Sequence, residues 1–203
     1  SHHEILKHFN SAQDKINKNV LGLIKNSSVI FTHCHSSNVV LALIYAKKRG
    51  KKFEVYNTET RPFFQGRKSP KELSKFGIKV TMFLDSEIDI ALEGKQGCKK
   101  VGLIFLGADA IVKDGVINKV GSGMIAEIAH IHKIPLYIVA DSWKYSSKNV
   151  KIEERDFREA WSRVPKNVKF RNLTFEKIKR NQIKAIVSEL GILTYDKFLK
   201  KMR

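Results

Sequence analysis

Residues 28–49, SVIFTHCHSSNVVLALIYAKKR, contain the pattern that decides the fold. An apolar run at 28–32 is followed by a short polar segment and then by residues 38–49, whose apolar side chains share one helical face: Val39, Leu43, Ile44 and Ala46. Short apolar runs of this kind are typical of strands buried in a parallel sheet, and the amphipathic stretch is typical of a crossover helix. The segment predicts a strand–turn–helix unit.

The same alternation continues along the chain. Further buried strands are predicted at residues 53–57, 79–84, 101–106, 136–140 and 168–172, and helices at 71–76 and 123–132. Gly77 follows the short helix, where its tolerance of positive φ suits a helix C-terminus. Residues 184–190 fit either a strand or a helix. We therefore predict an α/β fold with a doubly wound, mostly parallel Rossmann-like sheet, whose ligands bind beyond the carboxyl ends of the strands.

The N-terminal segment has a different pattern. Between residues 4 and 25 apolar side chains recur at near-helical spacing: Ile5, Phe9, Ile16, Val20, Leu21 and Ile24. This predicts one amphipathic helix that leads into the sheet. We therefore predict that the chain divides into a helical lead-in at 4–25 and a Rossmann-like domain at 26–203.

Composition excludes several classes of protein. The chain has 203 residues, of which 42% are hydrophobic, enough for a substantial core and too many for a disordered chain. No apolar run approaches the ~20 residues that a membrane-spanning helix needs. Cys34 and Cys98 have no ligand-like spacing, so the sequence predicts no disulfide scaffold and no metal site. We expect a protein of the reducing cytoplasm that needs no cofactor.

The net charge of +18 raises the question of nucleic-acid binding. However, only nine of the 38 basic residues are arginine, and the lysines are scattered in short clusters along the chain. Specific recognition of bases and phosphates relies heavily on the bidentate arginine fork. The pattern favours a solvated basic surface and no specific nucleic-acid partner.

A thiol, two imidazoles and two hydroxyls follow the first predicted strand, at His33, Cys34, His35, Ser36 and Ser37. A helix N-terminus attracts anions and lowers the pKa of a nearby thiol, so this segment suits an active site. The alternative is that Cys34 is a small buried hydrophobe and a serine caps the helix. The sequence leaves both interpretations open.

Two further segments follow predicted strands. Asp109 stands after residues 101–106 among small residues and could serve as an acid or base, or as an ordinary turn aspartate. The stretch 118–123, NKVGSG, precedes a helix and resembles an anion site, although such turns are also common for conformational reasons alone. Arg61 and Arg67 lie in a loop after the second strand, where they suit phosphate binding or simple solvation.

Together these segments resemble a known family. The motifs 32–37, 59–67, 85–86, 107–109, 118–122 and 140–144 occur in the order found in the alpha, beta and delta subunits of translation initiation factor 2B and in their enzyme relatives. Those relatives are methylthioribose-1-phosphate isomerase and ribose-1,5-bisphosphate isomerase. The presence of both Cys34 and Asp109 is similar to the enzyme branch, and residues 150–168 are similar to the ribose-1,5-bisphosphate group. The resemblance also implies that residues 4–25 correspond to the last helix of an N-terminal helical domain.

The resemblance implies an aldose–ketose isomerase of a sugar phosphate, with catalysis by Cys34 and Asp109. It places polar groups of the other motifs around the substrate: His33, Ser36, Ser37, Arg61, Gln65, Asn118, Lys119, Gly121 and Ser122. The expected chemistry uses Asp109, protonated through burial, to expel the ring oxygen. It uses Cys34 as a thiolate, its pKa lowered by the helix N-terminus and the histidines, to remove the C2 proton.

The resemblance also bears on partners. Family members associate through the α/β domain, and Phe63, Phe64 and Trp143 lie in loops at the predicted strand ends. We therefore predict a homodimer with its interface near the site, although these aromatics could instead pack internally. The alternative function is a non-catalytic regulatory subunit that binds a nucleotide or sugar phosphate and contacts initiation factor 2 alpha.

Overall fold

The fold is built on a seven-stranded sheet. The computed structural model describes residues 2–148 and 150–202, with backbone alone for 2–8 and 10. The sheet contains β1 (Ser28–Thr32), β2 (Phe53–Thr58), β3 (Lys79–Phe83), β4 (Leu103–Leu106), β7 (Leu136–Val139), β9 (Ala185–Ser188) and β10 (Gly191–Leu193). Their order is β10-β9-β7-β4-β1-β2-β3, and every neighbouring pair is parallel except β9 with β10.

Helices cover both faces of this sheet. They are α1 (His2–Leu23), α2 (Ser37–Lys48), α3 (Lys68–Leu73), α4 (Ile88–Glu93), α5 (Ser122–Ile131) and α6 (Tyr195–Lys201). Because side chains alternate along a strand, β1 sends Ile30 into one core and Phe31 into the other, and both are fully buried. The first core lies against α1 and α2, and the second against α4 and α5. Strands buried on both faces explain why the apolar runs are continuous.

A second, smaller sheet stands beyond the carboxyl end of β4. It has three antiparallel strands in the order β5-β6-β8: β5 (Ala110–Val112), β6 (Gly115–Lys119) and β8 (Phe175–Lys179). Sequence analysis missed all three strands, which are short. Residues 118–119, expected in the turn before a helix, form the end of β6. This small sheet decides the shape of the site.

Most predicted elements are confirmed to within two residues at each end. The open assignment at 184–190 is a strand, β9. The predicted strand at 168–172 is wrong, because those residues lie in an irregular segment that leads to β8. Its apolar side chains do not extend the sheet, and Val168 is 47% exposed.

The predicted lead-in helix is α1, which packs on α2, β9 and β10. Ile16, Val20 and Ile24 are buried as the pattern predicts, whereas Phe9 is partly exposed. The side chain of Ile5 lies outside the described residues. The division at residue 25 stays a prediction, although α1 shares a core with the sheet.

None of the helices in the described part of the chain combines the length and the hydropathy needed to cross a membrane.

Candidate active site

The candidate site lies where the chain changes direction across the sheet. From β1 the chain winds to β2 and β3 on one side, and β4 then starts the winding on the other side of β1. The loops after β1 and β4 therefore lead to opposite sides and leave a crevice between them, the usual ligand position in open α/β sheets. Cys34 follows β1, Asp109 follows β4, and both line one cavity of about 190 Å³.

At one point beside the crevice, Gly107 lets the loop after β4 come into close contact with Ser36 in the loop after β1. A Cβ on this residue would lie 2.7 Å from both Cβ and Oγ of Ser36, so any side chain would push apart the ends of β1 and β4. The backbone N–H of Asp109 then donates to the carbonyl of Ile117, 2.9 Å away. That bond ties the end of β4 to the small sheet and holds Asp109 in the cavity wall.

Cys34 is held in a left-handed backbone conformation, with φ of 62°. Its Sγ lies 3.9 Å from Oε1 of Gln65 and the side chain is partly exposed to the cavity. Burial has the largest effect and raises the pKa of this thiol; the His35 amide and Lys119 lower it, the Asp109 carboxylate raises it by a smaller amount, and Thr60 lowers it least. The prediction of a lowered pKa is therefore wrong, because desolvation outweighs the groups that favour the thiolate.

The pKa of Asp109 is shifted in the direction that its expected role needs. Asp109 is an exposed residue of the cavity wall, and its partial loss of hydration raises its pKa, while Lys144 and Lys119 oppose that shift. A raised pKa favours the protonated acid, as expected from the sequence.

Lys119 and Asn118 enter the cavity from the end of β6. Both are nearly fully buried. Among the described residues, none forms an ion pair with the Lys119 ammonium. Asn118 donates through Nδ2 to Oγ of Ser122, at 2.9 Å, and that hydroxyl in turn donates to the carbonyl of Lys119, at 2.6 Å. A buried cation without a carboxylate partner suits an anionic ligand.

The glycine-rich turn before α5 is already occupied by the protein's own carboxylate. Oε1 of Glu176, on β8, accepts from the N–H groups of Gly121 at 2.5 Å and Gly123 at 2.8 Å. A Cβ at Gly123 would lie 2.7 Å from the other oxygen of this carboxylate. The amide groups of the predicted anion site therefore point at Glu176, and Ser122, which is fully buried, bonds within the turn.

His33 connects three parts of the site instead of facing a ligand. The ring is 2% exposed, with Nδ1 2.5 Å from Oγ1 of Thr58 and Nε2 2.9 Å from the carbonyl of Val120. Because a carbonyl can only accept, Nε2 carries the proton and Nδ1 accepts from the threonine. Burial lowers the pKa of His33, which fits this neutral tautomer.

The loop after β2 is ordered by Asp85. Its carboxylate accepts from the N–H groups of Thr60 at 2.9 Å and Arg61 at 2.7 Å. Gln65 lines the cavity with Cys34. The Arg61 guanidinium instead stacks over Phe64, 4.9 Å from the ring centroid, and lines a separate cavity of about 570 Å³.

Ser36 and Ser37 border a second cavity of about 470 Å³ on the other side of Asp109. Ser36 precedes α2 as its N-cap, without a side-chain capping bond, and Ser37 is exposed. Gln13 of α1 and Lys144, from the loop after β7, complete this second lobe. Asn118 and Asp109 line both lobes, so an elongated ligand could extend through the crevice.

Sequence analysis missed several residues of the cavity wall. They come from the small sheet and from two loops: Phe63, Lys144, Arg155, Thr174 and Phe175. Lys144 carried a signal, because it belongs to the motif 140–144 after a predicted strand. Phe63 and Arg155 also carried a signal, because they belong to the segments 59–67 and 150–168 that the resemblance drew on. Thr174 and Phe175 carried none, since the position of β8 is set by tertiary contacts.

One cluster of possible metal ligands occurs among the described residues, at Asp89, Glu93 and His132, outside the cleft. Lys95 pairs with both carboxylates, and Nε2 of His132 lies 2.5 Å from Glu93. The carboxylates of the cluster are thus already in contact with the protein's own Lys95 and His132.

Comparison with known proteins agrees with this arrangement. A model of the Initiation factor 2 subunit family matches residues 1–195. The chain belongs to this family. The resemblance drawn from its motifs is therefore confirmed.

Relatives within the Initiation factor 2 subunit family carry two kinds of name. Ribose 1,5-bisphosphate isomerase of Archaeoglobus fulgidus is 35% identical over 94% of this chain and 61% of its own length. Methylthioribose-1-phosphate isomerase of Fervidobacterium nodosum is 34% identical over 92% of this chain and 59% of its own. The crystal structure of translation initiation factor eIF-2B from Pyrococcus horikoshii superposes with a TM-score of 0.82 at 31% identity, covering 94% of this chain and 67% of that one. The chain spans about three fifths of the length of the two isomerases.

Proposed function

We propose that this protein is an aldose–ketose isomerase that converts ribose 1,5-bisphosphate into ribulose 1,5-bisphosphate. The observation that carries the proposal is the meeting of Cys34 and Asp109 in one crevice beside the buried Lys119. Isomerisation needs an acid and a base on opposite sides of a small sugar, together with a cation for the phosphate. The isomerase relatives support the same reaction class.

The chemistry of the substrate assigns the two roles. The anomeric oxygen carries a phosphate and cannot become the carbonyl of a free aldehyde, so an acid must expel the ring oxygen from C1. Asp109 donates a proton to that oxygen, which becomes a hydroxyl. Cys34, as the thiolate, removes the proton from C2 and leaves an enol between C1 and C2. The C2 hydroxyl then returns a proton to Asp109 while Cys34 protonates C1, so protons and electrons balance.

The raised pKa of Cys34 fits the base role in one respect. A thiol with a higher pKa gives a thiolate that is a stronger base toward a carbon-bound proton. The cost is that little thiolate is present at neutral pH, and Lys119 offsets part of that cost because it favours the thiolate.

The remaining predicted residues divide into two groups in this proposal. Lys119, Asn118, Gln65, Ser36 and Ser37 contact the substrate, with Lys144 added at the second lobe. His33, Arg61, Gly121 and Ser122 shape the walls, because their polar groups face the protein or a neighbouring cavity.

The test is turnover of ribose 1,5-bisphosphate by the purified chain, compared with methylthioribose 1-phosphate. Cys34→Ser and Asp109→Asn are each expected to reduce kcat by at least about 100-fold, the usual contribution of a general acid or base. Cys98→Ser and Asp114→Asn are matched controls, because these residues lie outside the cleft, and they should retain activity.

A regulatory subunit is the alternative, favoured by the initiation factor named in the superposed structure. It predicts binding of a sugar phosphate or nucleotide without turnover, together with capture of initiation factor 2 alpha. That combination of results would contradict the isomerase.

A further inference from the structure

Thr174 lies in the wall of the cleft immediately before β8. Its carbonyl accepts from the N–H of Val120, at 2.9 Å, and the next residue, Phe175, pairs with Lys119 across the small sheet. Thr174 is therefore held by the backbone beside the strand end that supplies the buried cation. Thr174 and Lys119 both line the cavity that contains Cys34 and Asp109.

The Thr174 hydroxyl is the unusual feature. The residue is 8% exposed, and its Oγ1 is buried without a hydrogen-bond partner among the described residues. Buried hydroxyls are nearly always paired, because an unpaired one loses its hydration without compensation. An unpaired hydroxyl in the wall of a substrate cavity is explained if a ligand supplies the partner.

We propose that Thr174 is a specificity-determining residue whose hydroxyl donates a hydrogen bond to an anionic oxygen of the bound sugar phosphate, on the group that Lys119 neutralises. The inference rests on the proposed function and deepens it. A ligand group that lies against a donor-only ammonium accepts hydrogen bonds, so the hydroxyl acts as the donor. The proposal requires Oγ1, which is buried in the unliganded protein, to reach the ligand by rotation about the Cα–Cβ bond.

The test uses variants with opposite effects on the hydroxyl. Thr174→Val keeps the shape and removes the oxygen, whereas Thr174→Ser keeps the oxygen. In a Cys34→Ser background that does not turn the ligand over, we expect calorimetry with ribose 1,5-bisphosphate to show binding about tenfold weaker in Thr174→Val and near the unsubstituted value in Thr174→Ser. Thr81→Val, at a partly exposed position on the edge strand β3, is the matched control and should bind normally.

Thermal unfolding without ligand separates a binding role from a structural one. Replacing an unpaired buried hydroxyl by a methyl group is neutral or stabilising, so the Tm of Thr174→Val should equal or exceed that of the wild type. A lower Tm would mean that the hydroxyl already has a structural partner and would overturn the proposal.

The remaining outcomes distinguish this inference from the proposed function. Normal binding by Thr174→Val, with normal turnover by the wild type, overturns the role of Thr174 alone. Weaker binding by Thr174→Val, without turnover by the wild type, supports Thr174 and contradicts the isomerase. A wild-type chain that binds no sugar phosphate overturns both.

Discussion

At the scale of single residues, the protonation of Cys34 depends on its surroundings in the crevice. Burial has the largest effect and raises the pKa, Asp109 raises it further, and the His35 amide and Lys119 lower it. In a Cys98→Ser background Cys34 is the only cysteine, so alkylation by iodoacetamide reports its thiolate directly. We expect the midpoint of the alkylation rate to lie above the ordinary thiol value of about 8.5.

Two variants test the direction in which nearby charges shift this alkylation midpoint. Asp109→Asn removes a negative charge and should lower the midpoint, whereas Lys119→Met removes a positive charge and should raise it. A midpoint at or below the ordinary value, or shifts in the opposite directions, would contradict the electrostatic description of the crevice.

The same pKa shift affects stability in alkali. The folded state holds the Cys34 proton more tightly than the unfolded state, so its contribution to stability is complete below the unfolded pKa and is lost as the pH rises through the folded pKa. We expect the free energy of unfolding to fall less steeply above pH ~8.5 in Cys34→Ser than in the wild type. Denaturant titrations at pH 7.5 and 9.5 measure the difference, and equal slopes would contradict it.

At the scale of elements, one carboxylate joins the small sheet to a helix. Glu176 on β8 accepts from two N–H groups at the start of α5, where a negative charge also favours the helix dipole. The bonds hold the turn that follows Lys119 and presents the Val120 carbonyl to His33. We therefore expect Glu176 to help position the cation of the cleft.

Glu176→Ala should therefore affect both stability and the site. Loss of a helix-capping acceptor typically costs about 0.5–2 kcal/mol of unfolding free energy. We also expect the KM for the sugar phosphate to rise, since Lys119 loses support, while Glu176→Gln keeps an acceptor and recovers most of the loss. Glu127→Ala removes an exposed carboxylate of α5, the helix that Glu176 caps, and is the control. An unchanged KM in Glu176→Ala would leave this carboxylate with a purely structural role.

At the scale of the whole molecule, the loops that carry Phe63 and Trp143 leave apolar surface exposed beside the crevice. Phe63 is 48% and Trp143 56% exposed, and the Trp143 ring packs edge-on against Phe9 of α1 at 5.5 Å. Large exposed aromatics near a site are common at subunit interfaces. A homodimer with its interface near the crevice stays our prediction.

Sedimentation equilibrium near micromolar concentration tests this prediction. We expect twice the monomer mass of 23.2 kDa for the wild type and a shift toward monomer in Trp143→Ser. Trp161→Ser replaces an exposed tryptophan in another loop and should stay dimeric. A wild-type mass near 23.2 kDa would contradict the dimer.

Sequence patterns were sufficient where a residue's environment follows from its own segment. The parallel strands are recognisable because burial on both faces leaves continuous apolar runs, such as residues 28–32 and 136–140. Because parallel strands end at one edge, ligands were expected beyond the carboxyl ends of the strands. Cys34 and Asp109, which the family resemblance placed together in catalysis, share a cavity there. The α/β fold, the family and these two candidate residues were therefore determined by the sequence alone.

Tertiary structure decided what depends on segments far apart in the chain. The strand β8 pairs with β6 from more than 50 residues away, so local pattern could not reveal it or the Thr174 that precedes it. By contrast, β5 and β6 form a local hairpin across Lys113 and Asp114, which the sequence analysis overlooked. The direction of the Cys34 pKa shift depends on how much water the surrounding loops exclude. The anion that binds the glycine-rich turn is likewise a matter of tertiary structure. It is the carboxylate of Glu176, more than 50 residues away, because a helix N-terminus binds whichever anion the fold brings to it.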